Sequence, residues 1–186
     1  DARRTLVLDP PRVAEVRARV AALGVHDRLA IVGGGLTAIE AAAEFRERFP
    51  DLGIALISRG EPLSIWSRSA RDYIQDFFRR RSIELVVGAN VTAVDERGLV
   101  TTHGRFRASA CLWAAGFAPA ALAAHLQLGT DARGKIRVDP LLRAVADPRV
   151  YVVGDLAAPI ARPGHPVPEG CKSAMPMGVH AADNIA

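Results

Sequence analysis

One short stretch constrains this chain more than any other. Leu29-Ala30-Ile31-Val32 runs without a break into Gly33-Gly34-Gly35-Leu36-Thr37-Ala38. A continuous apolar run of that length suits a strand buried on both faces. The segment after it, 36–48, reads as a helix with Leu36, Ile39 and Ala43 inward and a series of small residues, Ala38, Ala41 and Ala42. Pro50 ends it. A strand that turns through glycines into a helix leaves unpaired N–H groups at the helix start, and these attract phosphate. Gly33 permits the tight turn, Gly35 lets backbone approach a pyrophosphate, and Ala38 lets the helix pack near the strand. The competing reading is a glycine turn that holds no ligand.

The neighbouring segments decide between these readings. Residues 53–57 and 83–87 read as two more buried strands, and residues 67–81 as a helix with Tyr73, Ile74, Phe77 and Phe78 inward. Strand, helix, strand, helix, strand implies a parallel sheet with right-handed crossovers. Upstream, 12–23 reads as an amphipathic helix stopped by Gly24. Residues 91–95, 99–102 and 105–108 read as short strands punctuated by Arg97-Gly98 and His103-Gly104, an antiparallel meander before a last buried strand, Cys111-Leu112-Trp113-Ala114. Beyond the loop at 115–119 come a short helix, a strand at 134–138 and an apolar run, Val150-Tyr151-Val152-Val153, read as a strongly buried strand. Residues 158–170 read as a loop, and 173–186 as the start of a helix. The expected class is α/β: a Rossmann-like domain over 1–117, with a second domain over 118–186.

Composition excludes several classes. With 49% hydrophobic and 24% charged residues and a net charge of +4, the chain is not disordered. No apolar run reaches the length of a membrane span. The first residues, Asp1-Ala2-Arg3-Arg4, do not resemble a signal peptide, and the chain reads as a mature or excised piece of cytoplasmic origin. The pI of about 9.7 comes from arginine. Those arginines are spread along the sequence without interleaved aromatics, and the densest run, Arg79-Arg80-Arg81, closes a helix where cations complement the dipole. No nucleic-acid partner is expected. Cys111 and Cys171 form no CxxC, and the five histidines form no ligand pattern, so no metal is expected. Cys171, Trp66 and Phe117 read as packing residues.

The end of the second strand of the unit bears on cofactor choice. A carboxylate roughly 20 residues after the glycines would bind the ribose 2′-hydroxyl of NAD. This chain has Ser58-Arg59-Gly60 there. A serine that hydrogen-bonds and an arginine that pairs with a 2′-phosphate favour NADPH over NADH, and Glu61 is the acid that could serve NAD. No GxSxG elbow and no YxxxK occurs. No side chain is assigned a catalytic role, which fits transfer between cofactors.

Four stretches together resemble the two-dinucleotide-binding-domain flavoproteins of the pyridine nucleotide-disulfide oxidoreductase superfamily, and most of all their type II NADH dehydrogenase-like members. They are Ile31 to Glu40, Leu112 to Gly116, Val150 to Asp155, and Cys171 to Ala174 with Ala182 to Ile185. The resemblance implies that the glycine loop, with Gly34, Leu36, Thr37 and the trailing Glu40, is the nicotinamide loop. It implies that Ala115 and Gly116 line the nicotinamide side, that Gly154 and Asp155 hold the flavin chain, and that Lys172, Ser173 and Ala174 approach the flavin ring. The second domain would then be the C-terminal part of an FAD-binding domain. It further implies FAD and NAD(P)H as cofactors and a small-molecule electron acceptor such as a quinone. For the full-length protein it implies a homodimer and peripheral membrane attachment.

Departures from the pattern are specific. These residues hold one glycine fingerprint where the family has two, and no redox cysteine pair. The expectation is a portion of a flavin-dependent NAD(P)H oxidoreductase that binds NAD(P) weakly to moderately and FAD poorly, and that is inactive alone. Two other readings stay open: a nucleotide-binding or redox-sensing module without turnover, and a flavin-free NAD(P) dehydrogenase. The last leaves Gly154-Asp155 unexplained.

Overall fold

The computed structural model describes residues 5–7, 12–64, 66–116, 122–160 and 167–185. The chain forms two compact units, Asp1–Gly116 and Phe117–Ala186. Phe117 lies outside the described residues.

The first unit contains β1 (Thr5–Val7), α1 (Val13–Ala21), β2 (Arg28–Val32), α2 (Leu36–Arg48), β3 (Gly53–Ser58), α3 (Arg68–Arg80), β4 (Ile83–Val87), β5 (Val91–Asp95), β6 (Gly98–Thr101), β7 (Gly104–Arg107) and β8 (Ala110–Trp113). Five strands form one sheet in the order β1-β8-β2-β3-β4, with every neighbouring pair parallel. Strands β5, β6 and β7 form a separate antiparallel sheet. The α/β reading with a parallel sheet and a meander holds.

Burial explains why the central strands were readable. Leu29, Ile31, Leu56 and Leu112 are fully buried among Ala38, Ile39 and Phe78 on one face. Ala30, Ala55, Ile57 and Cys111 are buried on the other, beneath Leu99 of the meander. A strand covered on both faces has no polar alternation to show.

Helix phase was less well read. In α2 the buried residues are Ala38, Ile39 and Ala42, while Leu36 is 47% exposed. Leu36 is the first residue of α2, and burial in that helix begins at Ala38. In α3 Phe78 is buried and Ile74 and Phe77 are half-buried, but Tyr73 is 64% exposed. Placing Tyr73 inward asked for a wider apolar stripe than this helix has. Trp66, expected to pack, is exposed.

The second unit contains α4 (Leu122–His125), β9 (Ile136–Arg137), β10 (Arg143–Ala144), β11 (Asp147–Tyr151), β12 (Ala157–Ala158) and α5 (Cys171–Ile185). Strand β10 pairs with β11 antiparallel and β12 with β9 parallel. Its core is Ala123, Leu128, Ile136, Val138, Leu142, Ala144, Val152, Ala157 and Ala181. The expected buried strand at 150–153 is corrected: β11 covers 147–151, its residues are exposed or half-buried, Val152 is buried and Val153 is exposed. A two-stranded ladder cannot cover both faces of a strand. The strand expected at 134–138 shortens to two residues.

Phe78→Ala should lower the unfolding free energy by about 3–5 kcal/mol, and Tyr73→Ala should change it by less than about 0.5 kcal/mol, read by denaturant titration. Equal losses would contradict this helix phase.

Candidate functional site

The site of the first unit is built at the carboxyl ends of the parallel strands. Strands β3 and β4 lie on one side of β2, and β8 and β1 on the other. The sheet order therefore reverses between β2 and β8, and a crevice opens at such a switch point. The glycine loop leaves β2 there. Gly33 N–H donates to Ile57 O at 2.9 Å, and Ala114 N–H donates to Val32 O at 2.9 Å. Gly33 has φ +147°, and a Cβ on it would lie 2.6 Å from Ala114 O and 3.1 Å from Ala38 Cβ. Only glycine satisfies both the conformation and the contact.

Gly34 and Gly35 differ in kind. A Cβ on Gly34 would collide with Ser58 Oγ, and Gly34 O accepts from Leu63 N–H at 3.0 Å. That bond ties the loop after β3 to the glycine loop. A Cβ on Gly35 would meet nothing within 4 Å. Gly35 is the N-cap of α2, without a side-chain cap and without an acid in the first turn. The amides of Leu36, Thr37 and Ala38 thus point out of the helix start with no carboxylate competing for them. Leu36 and Thr37 are exposed and Ala38 is buried. Space, free donors and the positive end of a helix dipole suit a pyrophosphate. Glu40 is exposed on the same helix.

Around this loop, Ala115 is half-buried, and Gly116 is exposed with φ +86° and no neighbour where a Cβ would stand. The serine at the end of β3 is placed differently from the sequence reading. Ser58 is 4% exposed and its hydroxyl donates to Gly60 O at 2.6 Å. Its proton holds the loop, so Ser58 has no donor left for a phosphate. Arg59 is exposed beside it. Glu61 is also exposed and accepts from Gln75 Nε2 at 3.5 Å. The stitching of residues 58–63 onto Gly34 was missed from sequence, although Pro62 after Gly60 signalled a structured turn.

The second unit carries its own constellation. Gly154 and Asp155 form a single 3-10 turn, Gly154–Leu156. Gly154 has φ +66°, and a Cβ there would lie 3.3 Å from Ala174 Cβ. Its N–H points to Met177 Sδ at 3.3 Å. Asp155 is half-buried, and Oδ1 accepts from Gly170 N–H at 2.8 Å. Gly170 O in turn accepts from the N–H groups of Ser173 and Ala174 at 3.1 Å. Asp155 is thus fixed against the start of α5, and its other oxygen has no partner among the described residues. That free acceptor suits a polyol hydroxyl. Glu169, the residue before Gly170, is held by Lys135 Nζ at 2.8 Å and Arg133 Nη2 at 2.6 Å. Lys172 is exposed, and Ser173 and Ala174 are half-buried. Pro176 within α5 leaves the Lys172 carbonyl without its helical donor. Cys171, read as packing, is exposed at the first position of α5, while Cys111 is buried and burial pushes its thiol up to about 12.

The family model for pyridine nucleotide-disulphide oxidoreductases matches residues 8–182. The chain belongs to this family. It is 36% identical over 138 residues to the NADH dehydrogenase-like protein YutJ of Bacillus subtilis, covering 73% of this chain and 39% of that protein. To the type II NADH:quinone oxidoreductase of Staphylococcus haemolyticus it is 27% identical over 177 residues, covering 86% of this chain and 44% of that protein. The chain therefore spans less than half the length of these relatives. Among solved structures, the fold matches an engineered water-forming NADPH oxidase bound to NADPH, with a TM-score of 0.78 at 20% identity over 100% of this chain and 42% of that one. A NAD-dependent persulfide reductase from A. fulgidus matches with a TM-score of 0.78 at 19% identity, over 98% of this chain and 35% of that chain. The family is one of pyridine nucleotide-dependent oxidoreductases.

Two outcomes check this geometry. Gly33→Ala should cost more than about 2 kcal/mol of stability, and Gly35→Ala about 1 kcal/mol or less, because only the first meets backbone. Native protein should take up one equivalent of a thiol reagent, at Cys171, and a second only after denaturation; prompt labelling of Cys111 would contradict its burial.

Proposed function

We propose that this chain supplies the nicotinamide-binding part and a portion of the flavin-binding part of an FAD-dependent NAD(P)H oxidoreductase that passes electrons to a quinone-type acceptor. One observation carries the reading: an uncapped helix start, with open space at Gly35, sits at the switch point of a parallel sheet. When bound, the nicotinamide and the flavin supply hydride transfer between them. The residues of the chain hold and orient. Gly33, Gly34 and Gly35 with the amides of Leu36, Thr37 and Ala38 hold the pyrophosphate. Ala115 and Gly116 leave room for the nicotinamide side. Gly154 brings backbone close to α5, and Asp155 offers its unpartnered oxygen to the flavin's hydroxylated chain. Lys172 and the first amides of α5 place positive charge for the flavin ring. The quinone acceptor is supported by the name of the Staphylococcus haemolyticus relative. Dimerisation and peripheral membrane attachment belong to the same proposal for the whole protein.

NADPH is the proposed donor. No carboxylate ends β3, Ser58 is turned into its loop, and Arg59 is the exposed side chain beside it. Relatives carry NADH in their names, but cofactor choice rests on this strand end. The engineered NADPH oxidase points the same way: its substitutions remove an aspartate and introduce two arginines into an oxidase otherwise bound to NADH. Bleaching of the flavin spectrum on anaerobic addition of NADPH to the full-length protein would favour the enzyme.

In calorimetric titrations of the 186-residue chain, Arg59→Ala should weaken NADPH about tenfold and leave NADH unchanged. Equal effects on both would contradict the NADPH assignment. The chain alone should bind FAD poorly; stoichiometric FAD in the purified protein would contradict that.

A further inference from the structure

The arginines that look scattered in sequence gather in space at the opposite end of the first unit. His26, Arg28, Arg97, Arg105, Arg107 and Ser109 line a cleft of about 590 Å³. Arg28 opens β2, Arg97 lies in the turn between β5 and β6, and Arg105 and Arg107 stand two apart on β7 and so share a face. The cleft thus lies at the amino end of β2, about 15 Å of strand away from the glycine loop.

Charge inside the cleft is only partly compensated. Arg28 pairs with Glu84 and lies 4.6 Å over the Phe106 ring. Arg105 makes two bonds to Asp95, at 2.7 and 2.6 Å, and holds that carboxyl below its usual range. Asp27, between His26 and Arg28 in sequence, accepts from Gly24 N–H at 2.8 Å. Arg97 acts on Asp95 through its backbone N–H and at longer range, and neither its guanidinium nor that of Arg107 forms an ion pair among the described residues. Glu96 is exposed and does not line the cleft. Two guanidinium groups therefore face a concave surface with donors to spare, next to the Ser109 hydroxyl and the His26 ring. Paired arginines 28 and 105 fix the walls; Arg97, which acts on Asp95 only at longer range, and Arg107 supply charge that no ion pair among the described residues takes up.

We infer that this cleft is a second anion site, separate from the dinucleotide loop, that takes a phosphate-bearing ligand with two or more negative charges. Each planar guanidinium fork pairs with two oxygens, and a phosphate offers three or more where one carboxylate offers two and a halide none. The volume is that of a small-molecule site. A free organic or inorganic polyphosphate and a phospholipid headgroup with two phosphates present the same chemistry here, and the experiment separates them.

Isothermal titration with inorganic pyrophosphate, and co-sedimentation with cardiolipin-containing vesicles, whose headgroup carries two phosphates, against phosphatidylcholine vesicles, should be run on the wild-type chain and on two variants. One is the double variant Arg97→Gln/Arg107→Gln, whose side chains are exposed and outside every ion pair described. The other is Arg59→Ala, which alters only the cofactor end. Pyrophosphate binding weakened about tenfold or more in the double variant and unchanged in Arg59→Ala supports a soluble phosphate ligand. Vesicle binding that depends on Arg97 and Arg107, without pyrophosphate binding, supports a lipid headgroup. No binding of either probe, or binding that the double variant leaves intact, overturns the inference. NADPH affinity measured in parallel on the double variant should stay at the wild-type value, so a failure here is distinct from a failure of the cofactor reading.

Discussion

Everything at the cofactor end depends on how closely Gly33 passes Ala114. The two chain exits from β2 and β8 cross within van der Waals range, and a single methyl at Gly33 would press against a carbonyl oxygen at 2.6 Å. Because that contact is allowed, both exits stay hydrogen-bonded to their neighbours: Gly33 to Ile57, and Ala114 to Val32. The loop is thereby fastened to the strands on either side before any ligand arrives. Ala38 then packs against the same glycine, which sets where α2 starts and where its free amides point. In the proposed function, a phosphate site fixed by backbone in this way would not have to order itself on binding, and the entropic cost of association would fall accordingly.

The two ends of the sheet are chemically unlike. At the carboxyl end anion attraction comes from backbone amides and a helix start, with Arg59 at the margin. At the amino end it comes from side chains alone, brought together by the meander folding over the entry to β2. Ser109 exchanges bonds with Arg28, through Ser109 N–H to Arg28 O at 2.8 Å and Arg28 N–H to Ser109 Oγ at 3.3 Å. That exchange fixes the floor of the arginine cleft as firmly as the glycine crossing fixes the other end. The second unit uses a third device, a chain of hydrogen bonds from Lys135 and Arg133 through Glu169, and from Gly170 to Asp155, that positions one carboxylate against the start of α5.

Local signals made the centre of the first unit legible. Buried parallel strands write themselves as unbroken apolar runs, and α2 is bounded by Gly35 and Pro50. What depended on distant partners was not legible. Strand β1 is three residues long and exists by pairing with β8, about a hundred positions away. Val150 to Val153 has the composition of a buried strand, but among the described residues only β10 flanks β11. Ser58 looked like a phosphate donor because side-chain type shows in sequence, whereas its commitment to Gly60 O shows only in the folded turn. The arginine cleft was hidden for the same reason: Arg28 and Arg107 are far apart along the chain and meet only when β7 lies across the sheet.

In the proposed function the first amides of α2 receive the dinucleotide. Amide chemical-shift mapping of the isotopically labelled chain during titration with NADPH tests it most directly. The largest, saturable changes should fall on Gly35, Leu36, Thr37 and Ala38, with Gly116 following. Changes centred instead on Arg97 to Ser109, with the glycine loop unmoved, would contradict it.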